Sequence, residues 1–247
     1  MQIQLSFALD TPISLPLSYH KLIQAYIYNI LNQSDPEFAT FLHDTGYGSG
    51  SKTYKLFVFS LLQGNNRTDI PSKAITFYDK VSLEIRSPKE EFCQKLLDGI
   101  QKAPDHKLSK QTLKLDNCSF SRYEITKDCV NIEMLSPLCL SSPNSPDPGI
   151  LKTFYYNPLD LGFTKALNSN TIRKYEAFSG NTDSIDLSLE TLELRTKDKY
   201  VTSFDNTWIT AWNGEYSLKG NPEILTFLYN AGLGSRNSQG FGMFKVL

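Results

Sequence analysis

The stretch Gly232-Leu-Gly-Ser-Arg-Asn-Ser-Gln-Gly-Phe-Gly242 is the part of the 247-residue sequence from which the fold is predicted. Its four glycines form two Gly-x-Gly pairs, and between the pairs lie small or polar residues and one cation, Arg236. Residues 221–231, just before it, read as a helix, with Asn221 as N-cap and Pro222 at the first position. Gly232 is then the expected helix stop. Residues 241–247 after the stretch read as a closing strand.

The glycine-rich stretch has two interpretations. Glycine permits positive φ and close backbone approach, so that exposed amides can bind phosphate. Neither the spacing of a Walker loop nor that of a dinucleotide-binding loop is present. A single pair would fit a helix cap joined to a turn, whereas two pairs around a basic tip favour a phosphate-binding loop. The candidate binding residues are Gly232, Gly234, Ser235, Arg236, Asn237, Gly240 and Gly242.

Upstream of this loop, the pattern of apolar residues predicts the same order of elements twice. In the first half, residues 2–9 alternate as a strand, a helix covers residues 19–32, and a second strand covers residues 55–62. A turn at residues 64–69, a strand, a helix and another strand follow. The second half repeats strand, helix, strand, strand, helix, strand. The sequence therefore predicts an α+β protein with tandem ferredoxin-like βαββαβ domains, at residues 1–126 and 127–247.

Composition limits the function classes. The formal net charge is −1, so nucleic-acid binding would need a local basic surface, for which residues 101–127 are one candidate and a solvated face the equal alternative. The four cysteines form no C-x-x-C pair, and the three histidines form no H-E-x-x-H motif. We expect free thiols in a reducing compartment, with no cofactor, no metal and no membrane span. This predicts a cytoplasmic protein.

Three side chains in the first half are candidates for chemistry. Tyr28 falls outside the apolar stripe of the first helix, His43 ends a short second helix, and Lys55 enters the next strand. Each also has an ordinary explanation, as a surface tyrosine, a helix-capping histidine or a strand lysine. His20 is a rival histidine at the start of the first helix, and His106 is predicted to lie on the surface.

Two motifs resemble a known family. The closing Gly-hydrophobic-Gly, basic insert and second glycine pair resemble the signature of the CRISPR-associated RAMP superfamily. The runs around Tyr28, His43 and Lys55 are similar to its repeat-RNA processing endoribonucleases. The resemblance implies an active site of Tyr28, His43 and Lys55, with Lys52 as the alternative lysine. It also implies that the glycine stretch binds RNA.

The resemblance implies metal-independent cleavage of precursor CRISPR RNA within its repeats, by attack of a 2′-hydroxyl, leaving a 2′,3′-cyclic phosphate and a 5′-hydroxyl. That chemistry needs proton transfer, which suits histidine, and a cation for the phosphorane, which suits Lys55. The role of His43 as acid or base stays open, as do homodimer formation and membership of a CRISPR effector complex. The rival is a non-catalytic RNA-binding subunit of such a complex. A small-molecule enzyme is disfavoured because no cofactor motif is present.

Overall fold

The computed structural model describes residues 1–142, 153–181 and 184–247. The first half of the chain folds into one seven-stranded antiparallel sheet, a separate hairpin of residues 47–49 with residues 52–54, and three α-helices. Its elements are β1 (Gln2–Ala8), β2 (Ile13–Pro16), α1 (His20–Ser34), α2 (Pro36–Thr40), β3 (Tyr47–Ser49), β4 (Lys52–Tyr54), β5 (Val58–Phe59), β6 (Gln63–Asp69), β7 (Ala74–Arg86), α3 (Glu90–Lys102), β8 (His106–Leu108) and β9 (Gln111–Ser121). A π-helical turn, Phe41–Thr45, follows α2.

The first sheet has the strand order of a ferredoxin-like unit. β1 lies between β7 and β9, and β5 and β6 pair with the other edge of β7. Leu5 of β1 lies opposite Leu83 of β7, and Ile3, Leu5 and Phe7 alternate into the core. Strand residues two apart point to the same face, so the alternation seen in the sequence places this apolar row against α1 and α3.

The second half forms another antiparallel sheet, in the order β13-β16-β10-β17. Its elements are β10 (Cys129–Met134), β11 (Ser141–Ser142), β12 (Phe154–Tyr155), α4 (Phe163–Ser179), β13 (Ser188–Glu193), β14 (Lys199–Phe204), β15 (Thr207–Trp212), β16 (Glu215–Lys219), α5 (Pro222–Ala231) and β17 (Phe244–Val246). β14 and β15 form a separate hairpin. The predicted fold class, tandem ferredoxin-like units of α+β type, is confirmed. The predicted domain boundary at residues 126 and 127 falls between β9 and β10.

Three local predictions were wrong. Residues 64–69 are not a turn but part of β6, whose side chains are all exposed, so that it lacks the apolar alternation of a half-buried strand. Of residues 55–62, only Val58 and Phe59 pair as a strand. His106 is buried, and its Nδ1 lies 2.9 Å from the Tyr26 hydroxyl, because β8 packs against α1.

The break in strand pairing before β5 lies where the chain contacts the cores of both halves. Leu56 adopts a φ of 51° and is buried in the core of the second half, whereas its neighbour Phe57 is buried in the first. Neighbouring side chains thus enter different cores, which prevents regular strand pairing at Lys55. Among the described residues, no helix has the length and apolar character needed to cross a membrane.

Candidate active site

The fold brings Tyr28, His43 and Lys55 together at one edge of the first half. The rings of Tyr28 and His43 meet edge to face, with their centroids 5.3 Å apart. The Lys55 ammonium donates a hydrogen bond of 2.7 Å to the main-chain carbonyl of His43. α1, the π-helical turn and the segment after β4 each supply one of these residues. Three side chains distant in sequence therefore form one cluster.

The His43 imidazole is exposed and has a carboxylate beside it. The side chain is 70% exposed, and its Nδ1 lies 2.7 Å from Oδ1 of the adjacent Asp44. A proton on Nδ1 makes this contact a hydrogen bond to the carboxylate, which fixes the ring and leaves Nε2 free for a substrate. Such a ring has the geometry for proton transfer at Nε2.

The absence of a side chain at Gly46 leaves space for the side chain of Lys55. Gly46 ends the π-helical turn with a φ of 70°, and its amide donates to the Phe41 carbonyl at 2.8 Å. A Cβ on Gly46 would lie 2.7 Å from the Tyr54 carbonyl oxygen and 3.0 Å from Cδ of Lys55. Burial lowers the pKa of Lys55, and the nearby Asp44 carboxylate opposes that shift. The lysine is thus held against the turn that carries His43.

Tyr28 has a more buried setting than the sequence indicated. Its ring also meets Phe57 edge to face, at 6.0 Å between centroids, and packs against the first core. Burial, reinforced by the Asp44 carboxylate, raises the pKa of Tyr28 well above its ordinary value. The phenol is therefore neutral near pH 7 and acts as a hydrogen-bonding group.

The glycine stretch folds as a compact turn in which the four glycines are buried and residues 235–239 are half-buried. Gly240 has a φ of 85°, and a Cβ there would lie 2.3 Å from the Phe59 ring; Gly242 has a φ of 84°, and a Cβ would lie 2.0 Å from the Leu233 carbonyl oxygen. The amide of Gly242 donates to Pro137 at 2.9 Å, and that of Ser235 to Cys139 at 2.7 Å. Gly240 and Gly242 therefore have no space for a side chain. The amide N–H groups of Gly242 and Ser235 already donate hydrogen bonds within the protein.

The basic tip of the stretch is held by neighbouring side chains. Arg236 adopts a left-handed conformation, and its guanidinium donates to Gln239 at 2.9 Å and to the Tyr155 hydroxyl at 3.3 Å. Beneath it, Lys174 of α4 donates to the carbonyls of Gly232 at 2.5 Å and Gly234 at 3.0 Å. The shape of the tip is therefore set by α4 as well as by its own glycines.

Two grooves adjoin this tip, and the first of them is also lined by Lys55 of the cluster around His43. The first, which we call the loop groove, has a volume of about 280 Å³ and is lined by residues 52–57 on one wall and 234–239 on the other, with Asn170 and Lys174 of α4. The second, the α4 groove, measures about 710 Å³ and includes Lys165 and Arg173. Lys52 and Arg236 line both grooves. Cationic side chains therefore line a continuous path between the two halves of the protein.

The rival histidine, His20, has a structural role. It is buried, stacks on Phe241 at 4.7 Å between centroids, and its ring nitrogens contact the Gln239 carbonyl and the Tyr200 hydroxyl, each at 3.0 Å. Burial lowers the pKa of His20 to about 4, against the opposing effect of its bond to Gln239. His20 therefore joins α1 to the glycine stretch as a neutral ring.

Sequence reasoning missed three residues of this region. Asp44 stands next to His43, so adjacency alone could have suggested it. Gly46 and Lys174 gave no such signal, because their partners are Lys55 and the distant glycine stretch. Across the described residues, no group of three or more His, Cys, Asp or Glu side chains is placed to hold a metal ion. The cluster thus consists of one imidazole, one ammonium, one phenol and the adjacent carboxylate.

Comparison with known proteins identifies the family. The family model of the N-terminal region of CRISPR-associated protein Cas6 matches residues 14–119, and the model of its C-terminal region matches residues 120–246. The CRISPR-associated endoribonuclease Cas6 1 of Methanocaldococcus jannaschii is 27% identical over 98% of this chain and 91% of its own length. Cas6 of Pyrococcus furiosus is 25% identical over 96% of this chain and 85% of its own length.

The fold is shared as well. The solved structure of a Cas6-related protein from Pyrococcus furiosus superposes with a TM-score of 0.85 at 22% identity, covering 100% of this chain and 98% of that one. The two family models together account for nearly the whole sequence, from residue 14 to residue 246. The chain belongs to the Cas6 family of CRISPR-associated proteins.

Proposed function

We propose that this protein is an endoribonuclease that binds CRISPR repeat RNA and cleaves precursor CRISPR RNA within its repeats. The observation that carries the proposal is the placement of His43, Lys55 and Tyr28 in one cluster beside a groove lined with cations. The Cas6 relatives named as endoribonucleases support it. We assign residues 1–126, with the catalytic candidates, and residues 127–247, with the glycine stretch, to two domains.

The reaction we propose is internal transesterification. The ribose 2′-oxygen attacks the adjacent phosphorus while the bond from phosphorus to the 5′-oxygen breaks. The 2′-hydroxyl loses a proton and the leaving 5′-oxygen gains one, so the products are a 2′,3′-cyclic phosphate and a 5′-hydroxyl. All the atoms come from the RNA, and the protein has only to move protons and stabilise charge.

Each member of the cluster has one role in this reaction. Nε2 of His43, left free by the contact of Nδ1 with Asp44, transfers a proton to or from the RNA. The ammonium of Lys55 stabilises the charge that develops on the phosphorane oxygens. Neutral Tyr28 orients the 2′-hydroxyl or the phosphate by a hydrogen bond.

The rest of the RNA would lie in the loop groove and the α4 groove. Lys52 and Arg236 line both, and Lys165 and Arg173 extend the cationic path along α4. The glycines set the shape of the stretch from Gly232 to Gly242, and Ser235 and Arg236 present side chains to phosphates. The Asn237 carboxamide, which the sequence predicts as an RNA contact, instead fixes the turn, because it accepts from Lys174 and donates to the carbonyls of Leu233 and Phe241. Neutralising several phosphates in this way makes RNA affinity fall as salt rises.

The decisive experiment is cleavage of a CRISPR repeat RNA in EDTA, beside a copy with a 2′-deoxyribose at the cut site. We expect a single cut per repeat with a cyclic phosphate end, absent from the deoxy copy. His43→Ala should slow cleavage by roughly 10²- to 10⁴-fold, the usual contribution of a positioned proton-transfer group, while RNA binding is largely retained.

The outcomes separate the candidate functions. Cleavage that persists in His43→Ala would overturn the site assignment. Binding of the repeat by the wild-type protein without any cleavage would instead indicate a non-catalytic RNA-binding subunit.

A further inference from the structure

Lys174 is a lysine enclosed by the protein. Its side chain is 1% exposed, although it lies in the middle of α4 and lines the loop groove. Its ammonium donates to the carbonyls of Gly232 and Gly234 and to Oδ1 of Asn237, at 2.5, 3.0 and 2.8 Å. These three contacts use all three N–H bonds of the ammonium. Lys174 therefore stabilises the conformation of the glycine stretch from the side of α4.

The three partners of Lys174 are uncharged. Two are peptide carbonyls and the third is a carboxamide, and the ion pairs of the described residues do not include Lys174. Burial alone lowers the pKa of Lys174 to about 7. Removing an ammonium from water is costly unless a negative charge compensates it. In the free protein, the charged form of Lys174 lacks that compensation.

The charged groups around the loop groove are mostly cations. Lys52 and Lys55 lie on the wall formed by residues 52–57, and Arg236 lies on the glycine stretch. α4 itself adds Arg173, which hydrogen-bonds the Tyr54 hydroxyl, and Glu176, two positions beyond Lys174. A groove of this kind attracts an anion, and the anion would have to compensate Lys174 as well as the exposed cations.

We propose that Lys174 is the buried counter-charge for an RNA phosphate bound in the loop groove, and that it positions the glycine stretch for that phosphate. The inference rests on the proposed function and deepens it. It assigns the free energy of binding one phosphate to Lys174, a residue that the RNA does not contact. Lys174 acts through Gly232, Gly234 and Asn237, and it is a positioning residue rather than a catalytic one.

A coupling between RNA binding and protonation follows. Burial, which lowers the pKa of Lys174 to about 7, favours the neutral amine in the free protein as pH rises above 7, although a neutral amine donates to only two of the three acceptors. A nearby phosphate favours the charged form. RNA binding therefore takes up as much as one proton above pH 7. Affinity should be insensitive to this group below pH 7 and fall by as much as tenfold per pH unit above it, until the pKa of the complex is reached.

The test is isothermal titration calorimetry of repeat RNA at pH 8, in two buffers of different ionisation enthalpy. His43→Ala serves as the background, because it suppresses cleavage of the RNA during the titration. We expect proton uptake in this background and its loss when Lys174→Met is added. Lys174→Met should also weaken RNA binding at pH 7 by tenfold or more and flatten the pH dependence of Kd.

Lys55→Met in the same background is the matched control, because Lys55 also lines the groove and is partly desolvated. It should leave the proton uptake in place. Lys174→Arg, which keeps a charge that does not titrate, should bind RNA at pH 9 without proton uptake. These two variants separate loss of the buried charge from a general change in the groove.

Two results would overturn the inference while leaving the proposed function intact. One is RNA binding without proton uptake at pH 8 in the His43→Ala background. This measurement needs no lysine variant, so it remains decisive if Lys174→Met fails to fold. The other is unchanged uptake in Lys174→Met. A wild-type protein that does not bind repeat RNA would overturn the proposed function and this inference together.

Discussion

The Lys55 ammonium is anchored to His43 through the main chain, by a hydrogen bond of 2.7 Å to the His43 carbonyl. The bond fixes the lysine relative to the histidine but leaves the imidazole itself free to meet a substrate. Because Lys55 follows β4 and His43 lies in the π-helical turn, the distance between the two functional groups depends on how that turn packs against β4. The site is therefore sensitive to the backbone of residues 41–55.

Removing the ammonium of Lys55 should impair the chemical step. We expect Lys55→Ala to slow cleavage of saturating RNA by roughly 10²- to 10³-fold, the usual loss when one preorganised charge-stabilising donor is removed. Single-turnover kinetics with excess enzyme measure this rate. Lys52→Ala is the comparison, because Lys52 lines the grooves, and its loss should appear in Kd. The reverse order of effects would make Lys52 the active-site lysine.

Adding one methyl group at Gly46 should displace Lys55. Gly46 has a φ of 70°, and a Cβ there would lie 2.7 Å from the Tyr54 carbonyl oxygen. We expect Gly46→Ala to destabilise the fold by about 1–3 kcal/mol, since an unfavourable φ and a backbone contact combine, and to slow cleavage.

Gly48→Ala is the matched control for Gly46→Ala, because a Cβ at Gly48 meets no atom within 4 Å. Thermal unfolding and single-turnover cleavage should separate the two variants. Equal unfolding temperatures and equal cleavage rates would contradict the role given to Gly46.

The hydroxyl of Tyr28 should contribute a hydrogen bond and no proton. Burial raises the pKa of Tyr28, so the phenol stays neutral throughout the neutral and mildly alkaline range. We expect Tyr28→Phe to slow cleavage by roughly ten- to a hundredfold, the value of about 1.5–3 kcal/mol for a hydrogen bond to a charged group. The pH–rate profile should keep its shape. A changed alkaline limb in Tyr28→Phe would show that the phenol titrates in the reaction.

Local signals made much of the fold predictable. The helix from Pro222 to Ala231 has its N-cap at Asn221 and ends at Gly232 as its sequence indicates, because capping depends on adjacent residues. β1 alternates as its sequence does. β6 was missed because an exposed edge strand needs no apolar residues, and its pairing depends on β7, which follows it in the chain.

The candidate site was predictable only in part. Tyr28, His43 and Lys55 stand out as residue types, and the fold places them together. The internal bonds of the glycine stretch were not predictable, since they depend on the distant Pro137 and Cys139. A lysine in the middle of α4 would be taken for a solvated residue, and only its long-range partners bury it.

The side chain of Arg86 forms a buried contact between the two halves of the protein. Arg86 ends β7, is 1% exposed, and donates to the carbonyls of Tyr229 at 3.2 Å and Phe244 at 2.6 Å. Its guanidinium lies 3.7 Å from the centre of the Tyr229 ring and pairs with Glu84 at 2.5 Å. One cation thus joins the first sheet to α5 and to the last strand.

Truncating this cation should destabilise the whole protein. We expect Arg86→Met to cost about 3–5 kcal/mol, because it leaves Glu84 and two carbonyls without their partner. Thermal unfolding should shift down by roughly 2–4 °C per kcal/mol in a chain of this size. Arg122→Met is the control, since Arg122 pairs with Glu90 on the surface, where an ion pair contributes about 0–1 kcal/mol. If Arg86→Met unfolded at the same temperature as Arg122→Met, the buried guanidinium would not be what holds the halves together.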